Sequence, residues 1–254
     1  MTRPADWLAP AWRNAQVGAL MTTRAGGVSR GRYASMNVGV AVGDDPGDVT
    51  ANRRLLAQTI AATPVFLRQV HGARVVRVGA DDAAGASLHE ADAAVTTAPR
   101  VACVVQAADC LPVLLAAPGG RAVAAAHAGW RGLAGGVVEA AVDAVAEAAA
   151  CAPREIAAWL GACIGPDAFE VGADVLDAFA AAPSDESTPG RFRAKGGGKW
   201  LADLAGLARD RLLAAGLRDV SGGDWCTVGD AARFFSYRRD GTTGRMAAAI
   251  WIAR

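Results

Sequence analysis

Apolar positions fall into short runs closed by polar or glycine-rich clusters, a pattern of strands interleaved with a few helices. Residues 17–23 (VGALMTT) read as a strand entering the glycine-rich stretch RAGGVSRG at 24–31. Asp45-Pro46 opens a helix over 45–61, with Asp as N-cap and Pro in the first turn. Residues 65–70 (VFLRQV) read as a strand ending at His71-Gly72, and the alternating 74–78 (RVVRV) as its partner. The polar, alanine-rich 81–90 reads as a loop, followed by strands at 91–97 and 101–106. Strands at 112–116 and 121–126 are joined by Pro118-Gly119-Gly120, a tight turn. A helix over 132–150 is stopped by Pro153. Then come a strand at 156–160 running into GACIGP, a helix at 171–182 and a loop at 183–198. The last of these gathers Arg191, Arg193, Lys195 and Lys199 around three glycines. A helix over 200–215 closes on Gly216, and 220–227, 234–237 and 245–252 are closing strands.

No linker or repeat divides this order, so one domain over 1–254 is expected. Its class is α+β (mixed α/β), a single-domain sandwich of mixed β-sheets flanked by helices. Several back-to-back strands argue against a purely parallel, doubly wound sheet. With 52% hydrophobic and 20% charged residues, the 254-residue chain can bury a large core. A net charge of +1 with interspersed signs gives no nucleic-acid footprint. No run is long enough to span a membrane and the N-terminus has no signal-peptide core, so a cytoplasmic protein is expected. Five cysteines, an odd number, fit reduced thiols better than a disulfide framework.

The chemistry concentrates where two apolar runs end, at Ala108-Asp109-Cys110-Leu111-Pro112 and His127-Ala128-Gly129-Trp130-Arg131-Gly132. Rigid strands deliver a carboxylate, a thiol, an imidazole and a guanidinium to one rim. Cys110 and His127 read as metal ligands. The chain has three histidines, so the third ligand is His71 after its strand or, as a fallback, His89 in the loop. Zinc takes imidazole and thiolate, and three protein ligands with one open position is the catalytic pattern. The separations are too long for a zinc finger. A cysteine beside apolar strands is also an ordinary small hydrophobe. Asp109 reads as a partner of a ligand histidine, a general base, or a cap of the Leu-Pro turn.

With these residues assembled, the chain resembles the YfiH-type laccase-domain family, also described as purine nucleoside phosphorylases and earlier as polyphenol oxidases. The matching pieces include TTRAGGVS (22–29), NVG (37–39), VGDDP (42–46), NRRLL (52–56) and QVHG (69–72). ADCLP (108–112), HAGWRG (127–132), GACIGP (161–166) and the run from FFSYRRDG into TTGRMA (234–247) follow in family order. The resemblance implies zinc on His71, Cys110 and His127, with copper as an alternative metal. It implies phosphorolysis of adenosine, inosine and methylthioadenosine, with adenosine deamination as a second activity.

The expected partners are therefore purine nucleosides and phosphate. Arg24 is the first phosphate candidate because its fork suits phosphate oxygens, followed by Arg131 and Arg238. Surface ion pairing is the alternative reading for these arginines, above all for Arg238 and Arg239. Asn37 and Gln69 complete the substrate-binding candidates. Asp109 and Cys163 are the catalytic candidates, Asp109 as proton carrier; Cys163 is equally readable as a buried structural thiol. A cysteine hydrolase using Cys110 or Cys163 with His127, a cell-wall precursor editing enzyme, a copper-dependent polyphenol oxidase and a zinc-stabilised binding protein are the competing readings. Three histidines suit one mononuclear site, not a trinuclear copper centre.

Overall fold

The computed structural model describes residues 4–12, 14–83, 89–179 and 190–254. Its strands are β1 (Val17–Met21), β2 (Thr63–Phe66), β3 (Val75–Arg77), β4 (Ala93–Thr96), β5 (Val101–Ala107), β6 (Leu111–Ala116), β7 (Val123–Ala128), β8 (Ala157–Leu160), β9 (Glu170–Val171), β10 (Phe192–Gly196), β11 (Lys199–Ala202), β12 (Asp219–Gly222) and β13 (Met246–Ile252). Its helices are α1 (Pro46–Ile60), α2 (Ala80–Ala83), α3 (Trp130–Ala134), α4 (Val137–Ala149), α5 (Ala173–Ala178), α6 (Leu204–Ala214) and α7 (Tyr237–Asp240).

Strands form a four-stranded sheet (β1-β13-β5-β2), a six-stranded sheet (β12-β8-β6-β7-β4-β3) and a small β10-β11-β9 sheet. Side chains alternate across a strand, which fixes the layering. From β5, Val101, Cys103 and Val105 point at Leu114, Val123, Ala125 and Trp159 of the six-stranded sheet. Ala102 and Val104 point the other way, onto Leu56 and Ile60 of α1. From β6, Leu111, Val113 and Leu115 meet Val138, Val142 and Val145 of α4 and Leu212 of α6. The order is helix, sheet, sheet, helices, the mixed sandwich expected. Both faces of the central strands are covered, which is why they read as unbroken apolar runs. Each fully buried valine of α4 contributes roughly 1.5–3 kcal/mol through burial.

The α1 start is as expected: Asp45 accepts from Gly47 N and Asp48 N at 2.8 and 3.0 Å. Buried Asn52 of α1 then fastens the glycine-rich stretch beside it. Its Oδ1 accepts from Val28 N, and its Nδ2 lies within 3.0 Å of Ser29 Oγ, Ser35 O and Asn37 O. Asn52→Ala strands these groups and is expected to lower unfolding free energy by about 2–4 kcal/mol in urea titrations.

Several local expectations are corrected. The 132–150 helix is two, α3 and α4, because Gly136 takes φ +91 and breaks it. β3 pairs with β4, parallel, in the other sheet from β2. The basic stretch expected as loop carries β10, which pairs with β11 across Gly196, Gly197 and Gly198, all at positive φ. α6 consequently starts at Leu204, capped by Asp203, not at residue 200. The expected 171–182 helix is a short strand followed by α5; its residues 180–182 lie outside the described residues, as do 183–189 of the expected loop. The 81–90 stretch begins as α2, and 84–88 are outside the described residues. The 220–227 strand stops at Gly222, where two consecutive glycines take positive φ, and 234–237 is a turn into α7. All five cysteines are free. Among the described residues no helix is long and apolar enough to cross a membrane.

Candidate metal centre

Asp92 immediately precedes β4, and the β4–β7 register places it across from His127. Directly opposed residues share a face, so carboxylate and imidazole meet. Asp92 O accepts from His127 N at 2.7 Å, and Asp92 Oδ1 receives His127 Nδ1–H at 2.8 Å. That bond selects the tautomer and turns His127 Nε2 outward.

The same carboxylate gathers the QVHG turn. Oδ1 accepts from His71 N at 2.9 Å, and Oδ2 from Val70 N and Gly72 N at 3.1 and 2.7 Å. This clasp holds His71 in the left-handed region, φ +61, five residues beyond the end of β2. Burial opposes ionisation of Asp92, but the His127 contact and the loop N–H groups outweigh it and hold the carboxyl below its usual range.

Cys110 is the residue before β6, and His127 lies within β7 opposite Pro112, where it was expected just after a strand. His71 is exposed, Cys110 half-buried and His127 buried. The three ligand atoms lie within 4.8 Å of one another, and His71 Nε2 is 3.8 Å from Cys110 Sγ. Tetrahedral zinc with nitrogen and sulfur donors spaces them by roughly 3.5 Å, so the donor set fits. Burial disfavours charge on both Cys110 and His127, yet each supports the other's ionisation. His127 brings the Cys110 thiol down to about 6, while Cys110 and Asp92 bring His127 up to about 9. The protein alone thus supports a thiolate beside an imidazolium.

Gly129 closes the cluster from the α3 side. A Cβ there would stand 2.9 Å from His71 Cδ2 and 3.0 Å from Cys110 Sγ. Gly129→Ala is expected to part the donors and weaken Zn2+ binding roughly 10–100-fold in chelator competition, with the circular dichroism spectrum unchanged.

Around this cluster the remaining candidates separate. Asp109, at φ +94, accepts from Thr227 Oγ1 at 2.5 Å and Arg238 N at 2.6 Å. It pins the 227 loop and α7 beside Cys110, and among the described residues no hydrogen bond joins it to a histidine ring. Cys163 is buried, its thiol near Ile164 O, and burial pushes its pKa up, which keeps it neutral. Asn37 is fully buried, Oδ1 accepting from Gly39 N and Arg245 N and Nδ2 donating to Asp44, so its amide fastens loops. Gln69 bonds both N and O of Gln106, extending the β2–β5 ladder with a side chain where the backbone has left it. Arg24 is tied to Ala34 O and Ala231 O, and Arg238 to Glu170 O. Arg131 is exposed over the Trp130 ring, with no hydrogen bond or ion pair on its guanidinium among the described residues. His89 pairs with Asp82, outside the cluster.

Sequence reasoning missed Asp92. The available signal was one carboxylate at the head of a wholly buried alanine-valine strand.

A family model described as multi-copper polyphenol oxidoreductase laccase matches residues 18–253. A Pseudomonas aeruginosa protein named purine nucleoside phosphorylase is 46% identical over 254 residues, covering 97% of this chain and 98% of that one. Purine nucleoside phosphorylase YfiH of Escherichia coli is 45% identical over 248 residues, covering 96% and 98%. A Neisseria meningitidis crystal structure superposes with TM-score 0.89 at 47% identity, covering 98% of this chain and all of that one.

Proposed function

The chain belongs to the family described as multi-copper polyphenol oxidoreductase laccase, and from that premise we propose that it is a zinc-dependent purine nucleoside phosphorylase. Relatives that carry this activity in their names, at 45–46% identity over nearly the whole chain, support the reading. The structural observation that carries it is the His71–Cys110–His127 cluster braced by buried Asp92. Two imidazoles and a thiolate suit zinc, with copper as the alternative occupant. A multi-copper centre does not fit a chain with three histidines.

The substrates are purine nucleosides and phosphate. In the reaction the C1′–N9 bond breaks with its electron pair leaving on the base, and a phosphate oxygen bonds C1′. The proton the base gains is the one hydrogen phosphate brings, so base and ribose 1-phosphate balance the equation. A divalent ion on the three donors supplies Lewis-acid charge for an anionic oxygen. The protein's own part is to hold that charge at a rim. His127 is fixed by Asp92, Cys110 stands at the head of β6, and His71 faces solvent where a nucleoside enters. Arg131, stacked on the Trp130 ring and with no hydrogen bond or ion pair among the described residues, offers its guanidinium on the α3 side. Asp109 acts through the Cys110 turn it fastens. Hydrolytic deamination of adenosine is proposed as a second activity of the same rim, and five free thiols suit the reducing cytoplasm.

The test is incubation of purified protein with adenosine, with and without phosphate, and identification of products. Adenine formed only with phosphate, lost on metal removal and restored by Zn2+, is the expected result. Inosine formed without phosphate reports the deaminase. Adenine release by metal-free protein at the full rate sinks the zinc role, and no base release sinks phosphorolysis.

A further inference from the structure

Arg245, which the phosphate candidates read from the sequence did not include, stands beside the Cys110 turn. Continuing the β13–β5 register, in which Met246 faces Ala107, sets Arg245 opposite Ala108, two residues from Cys110. Arg245 N donates to Asn37 Oδ1 at 2.8 Å, and Nη1 donates to Thr243 O and Gly244 O at 3.0 and 3.1 Å. Its stem lies against Gly39, where a Cβ would come 2.9 Å from Arg245 Cγ. The guanidinium lies 5.9 Å from the Tyr237 ring centroid.

Nε and Nη2 carry no hydrogen bond among the described residues, and no carboxylate lies within ion-pair distance. Burial works against the charge of this half-buried cation, while Cys110 and Asp109 are near enough to support it. A partly desolvated guanidinium with no counterion in direct contact is costly to keep. The other arginines at this rim differ: Arg24 gives Nε and Nη1 to carbonyls, while Arg238, with one Nη1 bond to Glu170 O, and Arg131 stand exposed.

We infer that Arg245 is the phosphate receptor of the site, its Nε and Nη2 taking two oxygens of the phosphate from the β13 side of the cluster. Two parallel charge-assisted bonds from one planar fork suit phosphate and cannot be copied by an amide. The inference rests on the phosphorylase reading for its role in turnover, though not for anion binding itself.

The experiment has two arms, run on zinc-loaded wild type, Arg245→Gln and Arg245→Lys. In the first, base release from adenosine is followed over a phosphate series. Arg245→Gln is expected to raise KM for phosphate at least about tenfold, leaving KM for adenosine and zinc content as in wild type, with Arg245→Lys between. In the second, melting temperature is recorded against inorganic phosphate without nucleoside. Wild type is expected to rise with phosphate and Arg245→Gln to stay flat. An unchanged phosphate KM, or an unchanged phosphate-dependent rise, overturns the inference. So does a joint rise in both KM values with a lower melting temperature in both variants, which marks a structural residue only. Wild type that stabilises with phosphate but releases no base overturns phosphorolysis and leaves the Arg245 receptor standing if Arg245→Gln abolishes that stabilisation.

Discussion

Cys110→Ala is expected to lower phosphate-dependent base release at least roughly 100-fold and to leave the purified chain without stoichiometric zinc. The reason lies in the donor count. His71, Cys110 and His127 are the one His/Cys group of the described residues whose ligand atoms converge, so no spare donor replaces the thiolate. Three protein ligands leave a position for substrate; two imidazoles alone cannot neutralise the ion. His71→Ala and His127→Ala are expected to act alike, with His127→Ala the more damaging to folding, because it also strands buried Asp92. Cys110→Asp separates a ligand from a nucleophile. A carboxylate oxygen binds zinc, so this variant is expected to regain part of the metal and part of the rate over Cys110→Ala. A cysteine hydrolase instead loses its rate in both variants while metal content tracks nothing. Metal analysis beside initial rates decides between them.

The pair also sets the pH dependence of metal uptake. Between about pH 6 and about 9 the Cys110 thiol is already ionised and His127 still holds its proton. Metal entering at His127 Nε2 must displace that proton. Affinity for Zn2+ is therefore expected to strengthen as pH rises across this window, by about tenfold per unit, with one proton released per ion bound. Chelator competition at several pH values, paired with calorimetry in buffers of different ionisation heat, checks both numbers.

The convergence of His71, Cys110 and His127 was legible because each sits near a glycine or proline that ends a run, and because three histidines leave few combinations. The β6–β7 hairpin was legible for a similar local reason, Pro118-Gly119-Gly120 between two apolar runs. What stayed hidden depends on distant pairing. β10 looked like a basic loop, since Arg193 and Lys195 find Asp167 and Glu170 only in the folded chain. Gln69 and Asn37 looked like binding residues, yet Gln69 bonds the backbone of Gln106, and Asn37 bonds the backbone of Gly39 and Arg245 and the Asp44 carboxylate. A polar residue within a dense motif is as readily a fastener as a ligand, and only its hydrogen bonds tell which. Arg245 was hidden in the same way, because its place beside Cys110 follows from strand register across 135 positions of chain.

Asp92→Asn is expected to be the most damaging change at a residue that touches no metal. One carboxylate accepts His127 Nδ1–H and three consecutive backbone N–H groups while wholly buried. An amide of the same shape keeps one accepting oxygen, for His127 and His71 N. Its Nδ2 then faces the N–H donors of Val70 and Gly72, a donor-against-donor clash that loosens the QVHG turn. Stability is expected to fall by about 3–5 kcal/mol, the cost of breaking a buried charged network. Zinc affinity is expected to fall roughly 10–100-fold. The electrostatic consequence has a sign of its own. Asp92 helps raise His127, so in metal-free Asp92→Asn the His127 titration, followed by NMR, is expected to move down from about 9. Protons then compete less for Nε2, and the pH dependence of zinc uptake is expected to shift to lower pH even as affinity at high pH weakens. A brace that only shaped the loop would weaken binding equally at every pH. Unchanged zinc affinity together with an unmoved His127 would show that the carboxylate neither orients nor charges the ligand.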